Sequence, residues 1–252
     1  PENELPFRIK IELMDFAIPN GFQGGASCRH DGKWLFIAGR TNGLHGFDTN
    51  SNNFPVQEQN RILYVIDPKQ KKVKMRSLND AASKLTQAQI DSLSVTSPQF
   101  YQKNKTLYMT GGYGIDTASG KFTTKDILTA IDIPGLMKWV EHKTNKSAAT
   151  FIRQISNPIF QITGGYMNQF GKEPTLLVFG HTFTGTYFLP PHTQVYSEQV
   201  RCFRIRDNGK KLTVKVLSSQ PSQADPNFRR RDLNVLPSIK KQHERLVEGL
   251  IA

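Results

Sequence analysis

Three short apolar segments, each ending at a glycine, recur along the chain and restrict the folds that it can adopt. They are KWLFIAGRT at 33–41, KTLYMTGGY at 105–113 and PTLLVFGHT at 174–182. Their glycines, Gly39, Gly111 and Gly180, are spaced by about 70 residues, which indicates repeated structural units. A phosphate-binding loop is the alternative, but it needs a following helix and a Lys-Ser or Lys-Thr pair. The segment GGYGIDTASG has no such pair and no helical pattern.

The segments around these glycines also recur in the same order. A candidate strand and a tight turn precede each apolar run, as GGASCRHDG, TSPQFYQKN and GGYMNQFGK. A long polar loop and further strands follow, and DPKQKK and RDNGKK have the composition of hairpin turns. Each unit therefore contains four short antiparallel strands. Repeated four-stranded units are the blades of a β-propeller, so the sequence predicts an all-β propeller fold.

The units resemble the kelch repeat, in which a diglycine follows the second strand of each blade. The second unit has this diglycine as Gly111-Gly112. The first unit has Gly39-Arg40 at the same position and the third has Gly180-His181, so both depart from the pattern after the first glycine. The resemblance covers most of the chain and implies a kelch-like β-propeller.

The third and fourth strands of a kelch blade carry a Tyr, an Asp-Pro pair and a Trp. The first unit matches with Tyr64 and Asp67-Pro68, and Val73 lies near the usual Trp position. In the second unit Trp139 lies near that position, within DILTAIDIPGLMKWVEH, which is predicted to be a strand.

The chain is predicted to be one partial propeller domain of about three and a half blades. The predicted blades cover 20–80, 94–145 and 158–220, and 230–252 begins a further blade. In that last segment GLIA resembles a first strand, while FRIKIELMDFAI near the N-terminus resembles an outer strand. Closed propellers have about four to eight blades. We therefore expect the remaining blades to come from a longer parent chain or from a second chain.

One helix is predicted between the first two blades. The segment SLNDAASKLTQAQIDSL at 77–93 has Leu85, Ile90 and Leu93 at helical spacing, and Thr86 is a candidate N-cap.

The net charge of +12 favours contact with an anionic partner. Lysines concentrate in the short turns predicted between strands 1 and 2 and between strands 3 and 4, which lie on one face of a propeller. They are Lys33, Lys69, Lys71, Lys72, Lys103, Lys105, Lys172, Lys210 and Lys211. No aromatic residues alternate with them, which disfavours nucleic acid. No segment has the length of apolar sequence that spans a membrane. The composition favours a secreted or periplasmic bacterial protein over a cytoplasmic one.

The opposite face carries the long loops between strands 2 and 3, which are rich in aromatic and histidine residues. Loops of one face converge on the propeller axis, where ligands or partners bind. Arg40 and His181 directly follow the recurrent glycine, so we expect their side chains near the axis. The alternative is that they only hydrogen-bond to neighbouring blades. The candidate ligand-binding residues are Arg40, His45, Tyr113, His181, Tyr187 and His192.

No catalytic or metal-binding motif is recognisable. The loop DTNSNN at 48–53 lacks the Gly and Glu of a calcium loop, and no Gly-x-Ser-x-Gly elbow occurs. His45, His181 and His192 lie in separate loops without a supporting carboxylate pattern. We therefore expect no cofactor.

The first functional hypothesis is a non-catalytic binding or scaffold module that uses the long-loop face to hold an unknown protein or glycan. The second is a carbohydrate-active enzyme, because the resemblance to kelch-like propellers implies a copper-dependent sugar oxidase or a sialic-acid mutarotase as possible relatives. The third is a protein that binds anionic surfaces through its lysine-rich face, and such binding would weaken steeply with salt.

Overall fold

The computed structural model describes residues 7–46, 53–169 and 174–252. Within these ranges the helices are α1 (Gln87–Leu93) and α2 (Ile133–Val140). The strands, in chain order, are β1 (Ala26–His30), β2 (Lys33–Ile37), β3 (Ile62–Asp67), β4 (Lys72–Ser77), β5 (Gln99–Lys103), β6 (Thr106–Thr110), β7 (Tyr113–Asp116), β8 (Lys121–Thr124), β9 (Ile127–Asp132), β10 (Ile152–Ser156), β11 (Tyr166–Gln169), β12 (Thr175–Val178), β13 (His181–Thr184), β14 (Thr193–Tyr196), β15 (Val200–Asp207), β16 (Leu212–Val216), β17 (Leu236–Gln242) and β18 (Arg245–Ile251). Among the described residues, neither helix is long and apolar enough to cross a bilayer.

Three antiparallel four-stranded sheets form the body of the protein. Their strand orders are β1-β2-β3-β4, β5-β6-β9-β10 and β11-β12-β15-β16. In each sheet the second strand is the apolar run that the sequence places before the recurrent glycine. The predicted fold class, an all-β partial propeller built from four-stranded blades, is confirmed.

Consecutive sheets pack face to face through two buried apolar clusters. Leu35 of the first sheet and Leu107 of the second belong to one cluster. Leu128 of the second sheet belongs to the other, together with Leu177 and Phe203 of the third. The second sheet is therefore apolar on both faces and removes apolar surface from water on each side, which is the main stabilising term for such a stack.

Backbone hydrogen bonds join the three sheets at the end where each first strand begins. The amide of Ser97 donates to the carbonyl of Gly24 at 2.7 Å, that of Gly164 to Ser97 at 3.3 Å, and that of Asp232 to Gly164 at 2.6 Å. All four residues have positive φ. They form one continuous series around the axis, which we call the axial series, and Asp232 extends it beyond the third sheet.

A second set of backbone hydrogen bonds links each recurrent glycine segment to the unit that follows it. The bonds are Gly39 N–H to Val95 O at 2.7 Å, Gly112 N–H to Ile162 O at 2.8 Å, and Gly180 N–H to Arg230 O at 2.9 Å. Neighbouring units thus touch backbone to backbone beside the axis, where a side chain would separate them.

The sequence predicts long polar loops between strands 2 and 3. Two of these loops form hairpins instead. Strands β7 and β8 make one hairpin and β13 and β14 the other, and β8 pairs with β13 through Thr123 and Thr184. The result is a further four-stranded sheet of order β14-β13-β8-β7. The hydroxyl of Thr124 reinforces it, because it accepts from Phe183 N at 2.8 Å and donates to Phe183 O at 3.0 Å.

The helix predicted between the first two blades is confirmed as α1. Thr86 is its N-cap, and Gln89 completes a capping box. The strand predicted around Trp139 is wrong, because this segment is α2, with Pro134 in the first turn. Proline is favoured there because its missing N–H needs no partner. The fourth strand of the second sheet is therefore β10, which lies beyond residue 145.

The two ends of the described chain also differ from expectation. The alternating segment after Phe7 forms no strand, because no described strand pairs with it, and Leu13 is fully exposed. The C-terminal GLIA is not a first strand but falls at the end of β18, which pairs with β17. Most of the loop 48–53 and Lys172 lie outside the described residues.

Substitution of Gly111 tests the backbone contact between units. Its φ is +64°, and an added Cβ would lie 1.8 Å from the carbonyl oxygen of Ile162, so Gly111→Ala must separate the second and third units. We expect a loss of about 4 kcal/mol or more in the free energy of unfolding, measured with urea.

Gly32→Ala is the matched control. Gly32 also has positive φ, but nothing lies within 4 Å of the position that an added Cβ would take, so the variant should lose only about 1 kcal/mol. Equal losses in the two variants would show that backbone conformation, and not contact between the units, accounts for the effect.

Candidate functional site

A cavity of about 210 Å³ lies on the propeller axis, at the end of the sheets where the axial series runs. Three kinds of segment meet there: the residues after each second strand, the hairpins between strands 2 and 3, and the links that lead into each first strand. The lining residues are Arg40, Leu44, His45, Phe54, Thr96, Ser97, Tyr113, Thr163, Gly164, His181, Phe183, Tyr187, Arg231 and Asp232.

Five of the six candidate residues from the sequence line this one cavity. Arg40, Tyr113 and His181 occupy matching places in the three units, because each pairs with the residue that precedes an axial-series residue. These pairs are Gln23 with Arg40, Thr96 with Tyr113, and Thr163 with His181. His45 and Tyr187 reach the cavity from the long loops.

His192, the sixth candidate, lies outside the cavity. It is exposed, and its ring stacks on Phe183 with the centroids 5.3 Å apart. Phe183 itself lines the cavity. His192 therefore touches the back of one wall and a separate outer groove that includes Phe122 and Leu189.

Arg40 is a buried cation at the cavity wall. It is 7% exposed, its guanidinium lies 4.6 Å from the ring centroid of Phe54, and it donates to the carbonyl of Asn53 at 3.3 Å. None of the ion pairs within the described chain includes Arg40. Burial lowers the pKa of Arg40, and the nearby Tyr187 only partly offsets this effect. Burial of a cation costs free energy unless an anion compensates its charge.

Arg231 supplies a second positive charge from the link that follows the third sheet. Its nearest carboxylate is that of Asp232, with Nε and Oδ2 3.5 Å apart. Burial alone would lower the pKa of Arg231, but a hydrogen bond with Tyr187 and the charge of Asp232 raise it overall. Arg231 therefore remains a cation beside the cavity.

His181 is a buried, neutral imidazole between these groups. It is 4% exposed, and its Nδ1 lies 2.5 Å from the side-chain nitrogen of Gln194. With the Gln194 amide as donor, the ring proton of neutral His181 is on Nε2. Burial and then the positive charge of Arg231 lower the pKa of His181 to about 4. At neutral pH the ring is therefore uncharged, with Nε2–H as a donor and Nδ1 as an acceptor.

Aromatic rings form the rest of the wall around Phe54. Its ring centroid is 5.4 Å from that of His45, 5.3 Å from Tyr113 and 5.2 Å from Tyr187. The Tyr113 hydroxyl donates to the carbonyl of Gly185 at 2.6 Å, and burial raises the pKa of Tyr113. The ring faces are therefore held in place and offer apolar contact next to the two arginines.

Sequence reasoning missed Arg231 and Asp232 as lining residues. The signal that could have found them is position: Asp232 follows Gly164 at about the interval that separates Ser97 from Gly24. Because the axial series contains two glycines, Ser97 and Asp232, this recurrence is hard to see in the sequence alone.

The described residues contain no group of three or more His, Cys, Asp or Glu side chains that could hold a metal ion. Chemically, the cavity offers two guanidinium groups, of which that of Arg231 is paired with the Asp232 carboxylate, a neutral imidazole, the hydroxyls of Thr96, Ser97 and Thr163, and aromatic faces. This set suits a small ligand with a negative charge and an apolar or ring-shaped part.

The sheets and their axial cavity define the protein as a β-propeller, one that is open in the described chain. No protein-family model matches the sequence, and no curated protein matches it. Among solved structures, the chain is similar to the one titled "Structure of YjhT", with a TM-score of 0.50 and 13% sequence identity. The match covers 95% of this chain and 72% of that one. At this identity the similarity shows the fold alone.

The pKa of His181 predicts a pH effect on stability. The unfolded histidine has its ordinary pKa of 6.5 and the folded one a pKa of about 4. Between these values the unfolded state binds more protons, so stability falls as the pH drops. We expect the wild type to lose about 1–2 kcal/mol between pH 7 and pH 5 relative to His181→Gln, by urea unfolding.

His142→Gln is the control for this measurement, because it removes a histidine at an exposed position and keeps His181, to which the pH dependence of the wild type is assigned. If His181→Gln also keeps that dependence, His181 is not the buried neutral group described here.

Proposed function

We propose that the protein is a kelch-like β-propeller that acts as a non-catalytic binding module and holds a small anionic group in its axial cavity. The observation that carries the proposal is Arg40, a buried guanidinium on the cavity wall that no described carboxylate neutralises. An anion bound there would supply the missing counter-charge and the missing hydrogen-bond acceptors. Hydrogen bonds to charged groups are stronger than neutral ones.

Arg231 and the aromatic wall support the same proposal. A planar guanidinium can present two donors to a carboxylate or phosphate, and the cavity has two arginines of this kind. Phe54 and Tyr187 provide ring faces against which the uncharged part of a ligand can pack. Neutral His181 adds a donor without adding charge, so it selects for hydrogen-bonding groups such as hydroxyls.

The cavity volume limits the size of the ligand. A volume of about 210 Å³ corresponds to roughly seven water molecules. That is enough for one sugar ring or one acidic side chain, but not for a larger cofactor. The partner is therefore a small acidic molecule, a terminal group of a glycan or a side chain of another protein.

A carbohydrate-active enzyme is the second candidate, and His181 is the observation that favours it. The Nε2–H of the neutral imidazole can donate to an oxygen of a bound sugar, and the Asp232 carboxylate, which can accept a proton, lines the same cavity. The two candidates differ in a measurable way. An enzyme would accelerate a change in a reducing sugar, such as anomer exchange followed by NMR, and His181→Gln would remove the activity but keep binding.

Calorimetric titration of Arg40→Met with acetate, sulfate, phosphate and glucuronate tests the binding proposal. We expect the wild type to bind at least one of these anions, and we expect Arg40→Met to bind it roughly 10- to 100-fold more weakly, because a charged hydrogen bond is lost.

Arg201→Met is the matched control. Arg201 resembles Arg40 because burial lowers its pKa and it is absent from the described ion pairs. It differs because it donates to the carbonyl of Ile159 and does not line the cavity. It should bind the anion as the wild type does. Loss of binding in both variants, or no binding of any anion by the folded wild type, would refute the proposal.

A further inference from the structure

The hairpin turns of all three sheets lie at the end opposite the axial cavity. The register of each hairpin identifies its turn: His30 pairs with Lys33, Asp67 with Lys72, Lys103 with Thr106, and Asp207 with Leu212. The axial series and the cavity lie at the other ends of these strands. We call the surface formed by residues 31–33, 68–71, 104–105 and 208–211 the turn face.

Side chains tie the first strands of neighbouring sheets together at this end. The amide of Gln102 accepts from Arg29 N and donates to Arg29 O, both at 2.8 Å. Lys103 donates to the side chain of Gln169 at 2.8 Å. The first strands of the three sheets are therefore held side by side here, and the turns belong to one continuous surface.

The turn face and its margin carry a concentration of unpaired positive charge. Five lysines there are exposed and take part in no ion pair of the described chain: Lys69, Lys72, Lys105, Lys210 and Lys211. Two further lysines are paired, Lys33 with Glu141 and Lys71 with Asp15.

The acidic residues at these turns do not neutralise the lysines. The carboxylate of Asp67 accepts from the amide of Gln70 in its own turn. That of Asp207 is buried and accepts two hydrogen bonds from Arg153 at 2.8 Å. Asp67 keeps its charge, and Asp31 is an exposed carboxylate of the turn face whose Oδ2 lies 3.3 Å from His30 Nε2. Because the unpaired lysines outnumber these two carboxylates, positive charge dominates the electrostatic potential outside the turn face.

We propose that the turn face docks on an anionic lipid surface, with the axial cavity on the opposite face left open to solvent. The lysines are spread over the turns of three sheets and sit on flexible side chains. This arrangement suits diffuse attraction to a charged plane. Specific nucleic-acid binding relies instead on arginine forks and on aromatic rings that stack on bases. The four turn segments contain no arginine and no aromatic residue.

Co-sedimentation with vesicles tests the proposal. The probes are vesicles of phosphatidylcholine alone and vesicles with about a third phosphatidylserine, at roughly 0.1 M salt. We expect binding to the anionic vesicles only, and weaker binding as salt increases. A variant with Lys72→Glu, Lys105→Glu and Lys211→Glu should lose at least about tenfold in partition coefficient, since each lysine near such a surface contributes several-fold.

The control variant makes the same change in net charge elsewhere. Lys74→Glu and Lys215→Glu lie on outer strands and Lys121→Glu on the β7–β8 hairpin, all at exposed positions. It should keep most of the vesicle binding. Equal loss in both variants would mean that net charge alone acts, and this would overturn the proposal.

Two further outcomes would also overturn it. One is that the folded wild type does not bind the anionic vesicles at low salt. The other is that it binds a polyuridine strand tightly and the vesicles weakly, which would assign the turn face to nucleic acid. Circular dichroism of both variants shows whether they remain folded, so a loss of binding through unfolding is recognised.

Discussion

The close approach of the main chain at the propeller axis is the constraint on which the rest of the structure depends. At each recurrent glycine segment an amide bonds directly to a carbonyl of the next unit, as Gly112 does to Ile162. Beside these contacts, the axial series runs from Gly24 through Ser97 and Gly164 to Asp232. Because backbone donors and acceptors buried in the fold must be paired, these bonds set the angle and distance between neighbouring sheets.

The same contacts explain why a ligand cavity forms on the axis. Once the glycine segments are held together, the next residue of each unit is placed at the axis, and in two units it is Arg40 or His181. The hairpins between strands 2 and 3 then close over these residues and bring Phe54 and Tyr187 against them. The fold thereby buries the positive charge of Arg40. A buried charge needs a counter-charge to offset the cost of removing it from water. An anionic ligand is the simplest source.

The fold could be predicted from the sequence to the extent that it depends on local pattern. The glycine spacing located the second strands, and the position after the glycine identified Arg40 and His181 as neighbours on the axis.

The pairing of β8 with β13 could not be found, because it joins segments of different units and leaves no local signature. For α2, a short apolar segment suits either a strand or a buried helix, and only its packing on the first sheet decides. Asp232 was missed because an aspartate adopts a conformation that elsewhere in the axial series glycine often supplies.

In the two proposals above, the two faces of the protein present positive charge in different ways. On one face, Arg40 is buried beside aromatic rings and Arg231 is half-buried near it, which would hold a single anion in a defined geometry. On the other, lysines remain exposed to water, where they would attract a charged surface without selecting a particular group. The two properties are independent, and the loss of one should leave the other unchanged.

The most direct test of the central claim is a crystal structure of the protein grown with selenate, whose anomalous scattering locates the anion without ambiguity. We expect the strongest anomalous peak in the axial cavity, within hydrogen-bonding distance of the Arg40 guanidinium. Peaks confined to the lysines of the turn face, with the cavity holding only water, would contradict it.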